Sequence, residues 1–223
     1  MTDWISSHKL AAGGPAPRPD SKVLQTLRSV LSVPAAYNLW WKMVGGPGLV
    51  KVLVTEYVKA GDGARILEIG CGPGTVAGYL SGSEYVGFDV SSKYIEMARK
   101  RFPQAQFFCE RVSKFSLAIQ QSFDTVLALG IVHHLDDQEA RQLFQIAHDA
   151  LRSGGKLVTF DGVWTDRQSR AARWLLARDR GEHVRSEQEY MTIASQVFQD
   201  VRPTVRHDLL HIPYTHLIME CFR

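Results

Sequence analysis

The sequence predicts an α/β domain: a doubly wound, mostly parallel sheet with helices on both faces and an antiparallel hairpin strand at its C-terminal end. Three observations predict it. Strand-like and helix-like segments alternate from Ile66 to Asp161, the pattern of a parallel sheet built from right-handed crossovers. An apolar strand, Arg65-Ile66-Leu67-Glu68-Ile69, breaks into a glycine-rich turn, Gly70-Cys71-Gly72-Pro73-Gly74-Thr75. Two strand-like segments close the chain, VRPTVRHDLL and PYTHLIMECF, joined too closely for a crossover and therefore antiparallel.

Composition bounds the reading. At 223 residues and 45% hydrophobic the chain can bury a full core, and a net charge of +3 is too small to imply a nucleic-acid partner. Cys71, Cys109 and Cys221 lie far apart with no C-x-x-C pair, which argues against disulfides and a zinc site and for a reducing, cytoplasmic setting. No apolar run approaches the roughly 20 residues of a membrane span, and MTDWISSHKL lacks the regions of a signal peptide.

In chain order, residues 1–20 end in AAGGPAPRPD and read as a flexible arm. Residues 21–223 read as one domain, opening with helices over 21–62: one begins near Asp20 or Ser21, a second is AAYNLWWKMV, and a third is LVKVLVTEYVKA. After the glycine turn a helix is expected from about Thr75. Then comes a second strand, Glu84 to Ser91, whose end carries Asp89, with Ser91 or Ser92 capping the helix KYIEMARKRF. Asp89 lies 15 positions beyond Gly74, near the spacing at which a carboxylate accepts hydrogen bonds from ribose hydroxyls in doubly wound folds.

Gln106 to Arg111 is the third strand. The apolar run from Asp124 to Gly130 suits a central strand buried on both faces and leads into Ile131-Val132-His133-His134-Leu135. A helix from about Asp137 to Leu151 follows, with Gly154-Gly155 as its expected C-cap, then a fifth strand over Lys156–Asp161. Residues 162–198 interrupt the alternation as a helical insertion. Six arginines and six carboxylates between Asp161 and Tyr190 read as a solvated, ion-paired surface.

The glycines at 70, 72 and 74 depart from G-x-G-x-x-G, the dinucleotide fingerprint, because Thr75 stands where the third glycine belongs. The pattern E-x-G-x-G-x-G instead resembles the cofactor loop of class I S-adenosylmethionine-dependent methyltransferases, and Asp89, Glu110 and the Leu129–Leu135 segment follow in that family's order. The resemblance covers Ile66 to Asp161 by motif and implies a seven-stranded sheet. It implies S-adenosyl-L-methionine as cofactor, held by Glu68, Gly70, Cys71, Gly72, Gly74, Asp89, Val90, Glu110, Arg111, Leu129, Gly130 and His134. Tyr37, from the helices ahead of the loop, would line the pocket at the cofactor's methionine end.

The segments that mark amino-methylating DNA enzymes, cytosine-C5 enzymes, protein arginine methyltransferases and metal-dependent catechol-type enzymes do not occur. The implied activity is metal-independent methyl transfer to an O, N or C atom of a small molecule. Positioning supplies most of the rate, and a general base serves where the acceptor is a poorly acidic hydroxyl. His133, following the fourth strand, takes the base role, with Asp161, His183 and His216 as further candidates. Trp164, Arg178, Arg180, His183, Tyr214 and His216 are the expected substrate contacts, with 162–198 as the substrate cap. Two rivals remain: a non-catalytic binder of S-adenosylmethionine or S-adenosylhomocysteine, and an NAD-dependent oxidoreductase, which the glycine spacing and the lack of a Tyr-x-x-x-Lys pair oppose.

Overall fold

Eight strands and five α-helices build the domain in a computed structural model that describes residues 42–110, 122–179 and 181–223. The strands are β1 (Arg65–Ile69), β2 (Glu84–Asp89), β3 (Gln106–Cys109), β4 (Phe123–Leu129), β5 (Leu151–Trp164), β6 (Arg185–Ser186), β7 (Asp200–Arg206) and β8 (His216–Phe222). The helices are α1 (Gly46–Val52), α2 (Ser92–Arg101), α3 (Asp137–Ala150), α4 (Arg170–Leu176) and α5 (Glu187–Ala194). Seven strands lie in the order β3-β2-β1-β4-β5-β8-β7, with two-residue β6 paired to the end of β5. β1 to β5 run parallel; β8 inserts antiparallel between β5 and β7. The strand order reverses between β1 and β4, so the loops after these parallel strands border the crevice where open α/β sheets bind ligands.

Burial on both faces explains the apolar runs. Val126, Ala128, Leu157 and Leu217 face a core with Ala140, Leu143, Phe144 and Ala147 of α3 and Tyr190 of α5. Ile66, Leu127, Val158 and Ile218 face the opposite core, with Leu53, Tyr57 and Ile95. The helix ends follow capping chemistry. Ser91 accepts from the Tyr94 amide, and Asp136 with Glu139, like Ser186 with Glu189, forms a reciprocal capping box.

Several expectations give way to local chemistry. The glycine loop leads into one 3-10 turn, Val76–Tyr79, rather than an α-helix: the stretch is short, and Gly78 and the flanking glycines cannot sustain nucleation. The third predicted helix loosens after Val52 into a π-helical turn, Leu53–Val58, where the Thr55 hydroxyl donates to the Lys51 carbonyl. Gly154-Gly155 does not cap α3; the helix ends at Ala150, and both glycines lie within β5, where the pairing with β4 shifts register. A Cβ on Gly155 would sit 2.9 Å from the Asp124 carbonyl, so the bulge needs glycine there. In the insertion, α4 spans seven residues only. The arm at 1–20, the first predicted helix, the second up to residue 41, and Tyr37 lie outside the described residues, as do Arg111 and Arg180.

Replacing Asp136 by Ala removes one half of the α3 capping box and is expected to lower stability by about 1 kcal/mol. Urea unfolding should show a lower midpoint with unchanged slope.

Candidate active site

Backbone first shapes the crevice. Gly70, Gly72 and Gly74 all have positive φ (73°, 51° and 72°), the conformation glycine adopts without a Cβ penalty. The amides of Gly70 and Cys71 both donate to the Phe88 carbonyl, which ties the loop to the end of β2. A Cβ on Gly70 would meet Ile131 Cδ1 at 2.7 Å, whereas one on Gly72 meets nothing within 4 Å. The loop therefore packs on its inner side against the segment after β4 and is open at Gly72.

Asp89 ends β2 and faces this opening. Its Oδ2 accepts the Gly72 amide at 3.0 Å, and its Oδ1 accepts the Ser91 amide at 2.8 Å. Each carboxylate oxygen keeps a further lone pair, the capacity needed for two ligand hydroxyls. Next to it Val90 is 70% exposed, an apolar side chain left open at the crevice rim. Glu110 is exposed just past β3, and its amide donates to the Asp89 carbonyl, so the two acidic residues flank the same rim. Leu129 and Gly130 close the other side; the Gly130 amide donates to the Phe160 carbonyl.

Glu68 and Cys71 lie beneath the loop. The Glu68 carboxyl is buried and hydrogen-bonded to the Tyr85 hydroxyl. Burial raises its pKa to about 8, the Tyr85 hydrogen bond opposing and the Asp89 charge adding. Burial likewise pushes the Cys71 thiol up. Both residues are thus floor rather than rim.

A second cluster stands at the ends of β4 and β5. Asp161 Oδ1 accepts both the His133 backbone amide at 3.1 Å and a hydrogen bond with His133 Nδ1 at 2.8 Å. The Asp161 side chain is 2% exposed. The opposite ring nitrogen, His133 Nε2, lies 3.5 Å from Asp179 Oδ1. Asp179 is held in turn by the Gly181 amide at 2.9 Å and the Tyr214 hydroxyl at 2.5 Å. Burial works against the His133 imidazolium, but the Asp161 hydrogen bond and the charges of Asp161 and Asp179 outweigh it and raise the pKa. Burial of Asp179 is outweighed by Tyr214, the Gly181 amide and the two histidines, and its pKa is lowered. His216, stacked on Phe160 with centroids 4.4 Å apart, is brought down to about 3 by burial.

The remaining expected contacts divide. Tyr214 and His216 join the cluster, their rings 4.7 Å apart, and the His183 amide donates to the His133 carbonyl. His134 is exposed beside His133, with ring centroids 4.2 Å apart. Trp164 ends β5 with the Arg173 guanidinium over its ring. Arg178 is exposed, its guanidinium over Trp174, and the structure does not bring it to the cluster.

Two residues escaped the sequence reading. Asp179 was counted there among surface ion pairs, as was Arg185, which is buried. The Arg185 guanidinium donates to the carbonyls of Val132, Leu135 and His183 and to Asp137, clamping the turn that carries His133. No motif marks either residue; an arginine just ahead of a capping serine, Ser186, was the one available signal for the second. A polar groove lined by Arg65, Glu84, Gln104 and Gln106 lies at the opposite, amino ends of the strands and shares nothing with this site.

Residues 66–155 match the family model described as a methyltransferase domain. With the sheet order above, the segment is similar to methyltransferase domains built on a Rossmann-like sheet. An uncharacterised methyltransferase of Bacillus cereus is 27% identical over 121 residues, 53% of this chain and 57% of the relative. The chain thus spans a little over half the length of that relative. A TehB-like S-adenosylmethionine-dependent methyltransferase from Corynebacterium glutamicum shares the fold with a TM-score of 0.59 at 19% identity, over 86% of this chain and 99% of the other. Phosphoethanolamine N-methyltransferase 2 of Haemonchus contortus, solved with S-adenosylhomocysteine, gives 0.65 at 20% identity, over 81% of this chain and 45% of the other. Among the described residues, no helix is long and apolar enough to cross a membrane.

Glu68 yields a pH prediction. Its folded pKa, about 8, lies above the ordinary 4.5, so the folded state holds the extra proton between those values. Its contribution to stability is full below about pH 4.5 and is lost as pH rises toward 8. Thermal unfolding across that window should show a falling contribution that Glu68→Gln removes.

Proposed function

We propose that the protein is an S-adenosylmethionine-dependent methyltransferase acting on a small molecule without a metal. The observation that carries this is the Asp89 carboxylate, fixed by the Gly72 and Ser91 amides at the open side of a positive-φ glycine loop. When bound, S-adenosylmethionine supplies an electrophilic methyl group on a sulfonium.

The residues present fit that group. Asp89 offers its remaining lone pairs to the ribose hydroxyls, Val90 an apolar face to the adenine, and Glu110 an acceptor for the adenine amino group. The Gly70–Gly74 backbone permits close approach, and Leu129 and Gly130 close the pocket with His134. Glu68 and Cys71 act from beneath, by shaping the loop. The S-adenosylmethionine-dependent neighbour from Corynebacterium glutamicum and the S-adenosylhomocysteine-bound enzyme of Haemonchus contortus favour the same donor. Within this reading 162–198 caps the substrate. A cytoplasmic setting belongs to it too.

His133 is the proton acceptor where the acceptor group must lose a proton. Asp161 at Nδ1 fixes the tautomer with the basic lone pair on Nε2, the atom directed toward Asp179. The cluster of Asp161, His133, Asp179 and Tyr214 favours an enzyme over a passive binder, because orienting an imidazole between two carboxylates serves proton transfer and adds nothing to holding the cofactor.

Asp89→Ala and Gly72→Val should each weaken binding of S-adenosylhomocysteine at least tenfold by calorimetry; unchanged affinity in both would remove the site assignment. His133→Ala should abolish turnover while that affinity stays within twofold. Since the base must be unprotonated, wild-type turnover should fall as pH drops through a value above 6.5, the ordinary histidine pKa.

A further inference from the structure

The three members of the proton-handling line differ in access. The Asp161 side chain is 2% exposed, that of His133 11% and that of Asp179 27%. Asp179, not His133, is therefore the end of the line that an incoming molecule meets first. Its position is built rather than incidental: the Gly181 amide and the Tyr214 hydroxyl each hold one of its oxygens. A Cβ on Gly181 would run into the His133 ring, so only glycine lets this loop bring Asp179 alongside the imidazole.

The surroundings also point to a ligand. His216 Nδ1 is buried with no hydrogen-bond partner, and it lies in the ring stack of Phe160, His216 and Tyr214 that adjoins Asp179 through Tyr214. Asp161 Oδ2 is likewise buried and unpartnered. A native interior pairs nearly all such atoms, so an unmet one calls for a water, an ion or a ligand beside it. Aromatic faces beside a carboxylate suit a cation.

We propose that Asp179 is the docking carboxylate for the methyl acceptor, and that the acceptor presents a protonated amine to it. The inference rests on the methyl-transfer reading above and narrows its substrate class. An ammonium makes a charge-assisted hydrogen bond with the carboxylate. Before its nitrogen can accept a methyl group it must release one proton. The N–H bond breaks with its electron pair left on nitrogen, and the proton passes to His133 Nε2, 3.5 Å from Asp179. Charge decides between acceptors. An amine becomes neutral on losing its proton, whereas a hydroxyl becomes an anion beside two carboxylates, which repel it. Burial pushes the Asp161 carboxyl up, whereas the Tyr214 and Gly181 hydrogen bonds keep Asp179 ionised to receive the cation.

The test is a titration of the full chain, saturated with S-adenosylhomocysteine, with three probes of one shape: 2-phenylethylamine, 2-phenylethanol and 3-phenylpropanoate. The amine should bind at least tenfold more tightly than either of the others. Asp179→Asn should cut amine binding at least tenfold and leave the alcohol within twofold, with S-adenosylhomocysteine affinity unchanged. Tyr214→Phe, which keeps the carboxylate but loosens it, should show a smaller loss of the same sign and carries the test if Asp179→Asn does not fold. Equal or tighter binding of the alcohol or acid, no binding of the amine, or an amine preference unmoved by the variants would overturn the proposal. Failure of the wild type to bind S-adenosylhomocysteine would instead overturn the methyl-transfer reading, and the amine titration without it still decides the role of Asp179.

Discussion

The crevice depends on one carboxylate bridging two amides. Asp89 takes the Gly72 N–H with one oxygen and the Ser91 N–H with the other, and so joins the glycine loop after β1 to the start of α2. The Gly70 and Cys71 amides, both on the Phe88 carbonyl, hold the start of the same loop. Its three glycines adopt left-handed conformations, and only a 3-10 turn follows, so no long helix braces it from behind. Charge-assisted bonds of this kind are roughly twice as strong as neutral ones. They hold the loop in one shape while leaving lone pairs for a ligand, which pre-pays the ordering that binding would otherwise demand.

The same logic operates one layer away, at β4 and β5. Asp161 and Arg185 both grip the turn Val132–His134. Asp161 accepts the His133 amide and its ring nitrogen; Arg185 takes the Val132 and Leu135 carbonyls. Both grips are buried, where loss of one partner leaves an unmet polar group. The imidazole consequently has one orientation, with Nδ1 committed and Nε2 turned to Asp179. Two short irregular segments, the glycine loop and this turn, are packed against each other by Ile131 at Gly70.

The sheet was legible because burial on both faces writes strands such as Phe123–Leu129 as continuous apolar runs, and because Asp89 and Gly130 sit where strands end. The places of Asp89, Glu110 and Gly130 at strand ends were legible for the same reason: they follow from strand order. The insertion was not. Asp179 and Arg185 look like members of a charged helix surface, since periodicity cannot distinguish an exposed arginine from one turned onto two carbonyls of a distant turn. His216, far along the chain, reaches the cluster only because β8 inserts beside β5 and sets Gly162 opposite it. The expected helix after Thr75 failed for a local reason, the glycine content that the loop itself requires. Glu68 forms the loop's buried floor, because its strand position directs it to Tyr85.

The most direct measurement is a crystal structure of the full chain with S-adenosylhomocysteine. The account predicts both ribose hydroxyls on the Asp89 carboxylate, the adenine against Val90 near Glu110, and the sulfur toward the His133 turn. Ligand bound elsewhere, or bound with Asp89 still paired only to Gly72 and Ser91, would contradict it.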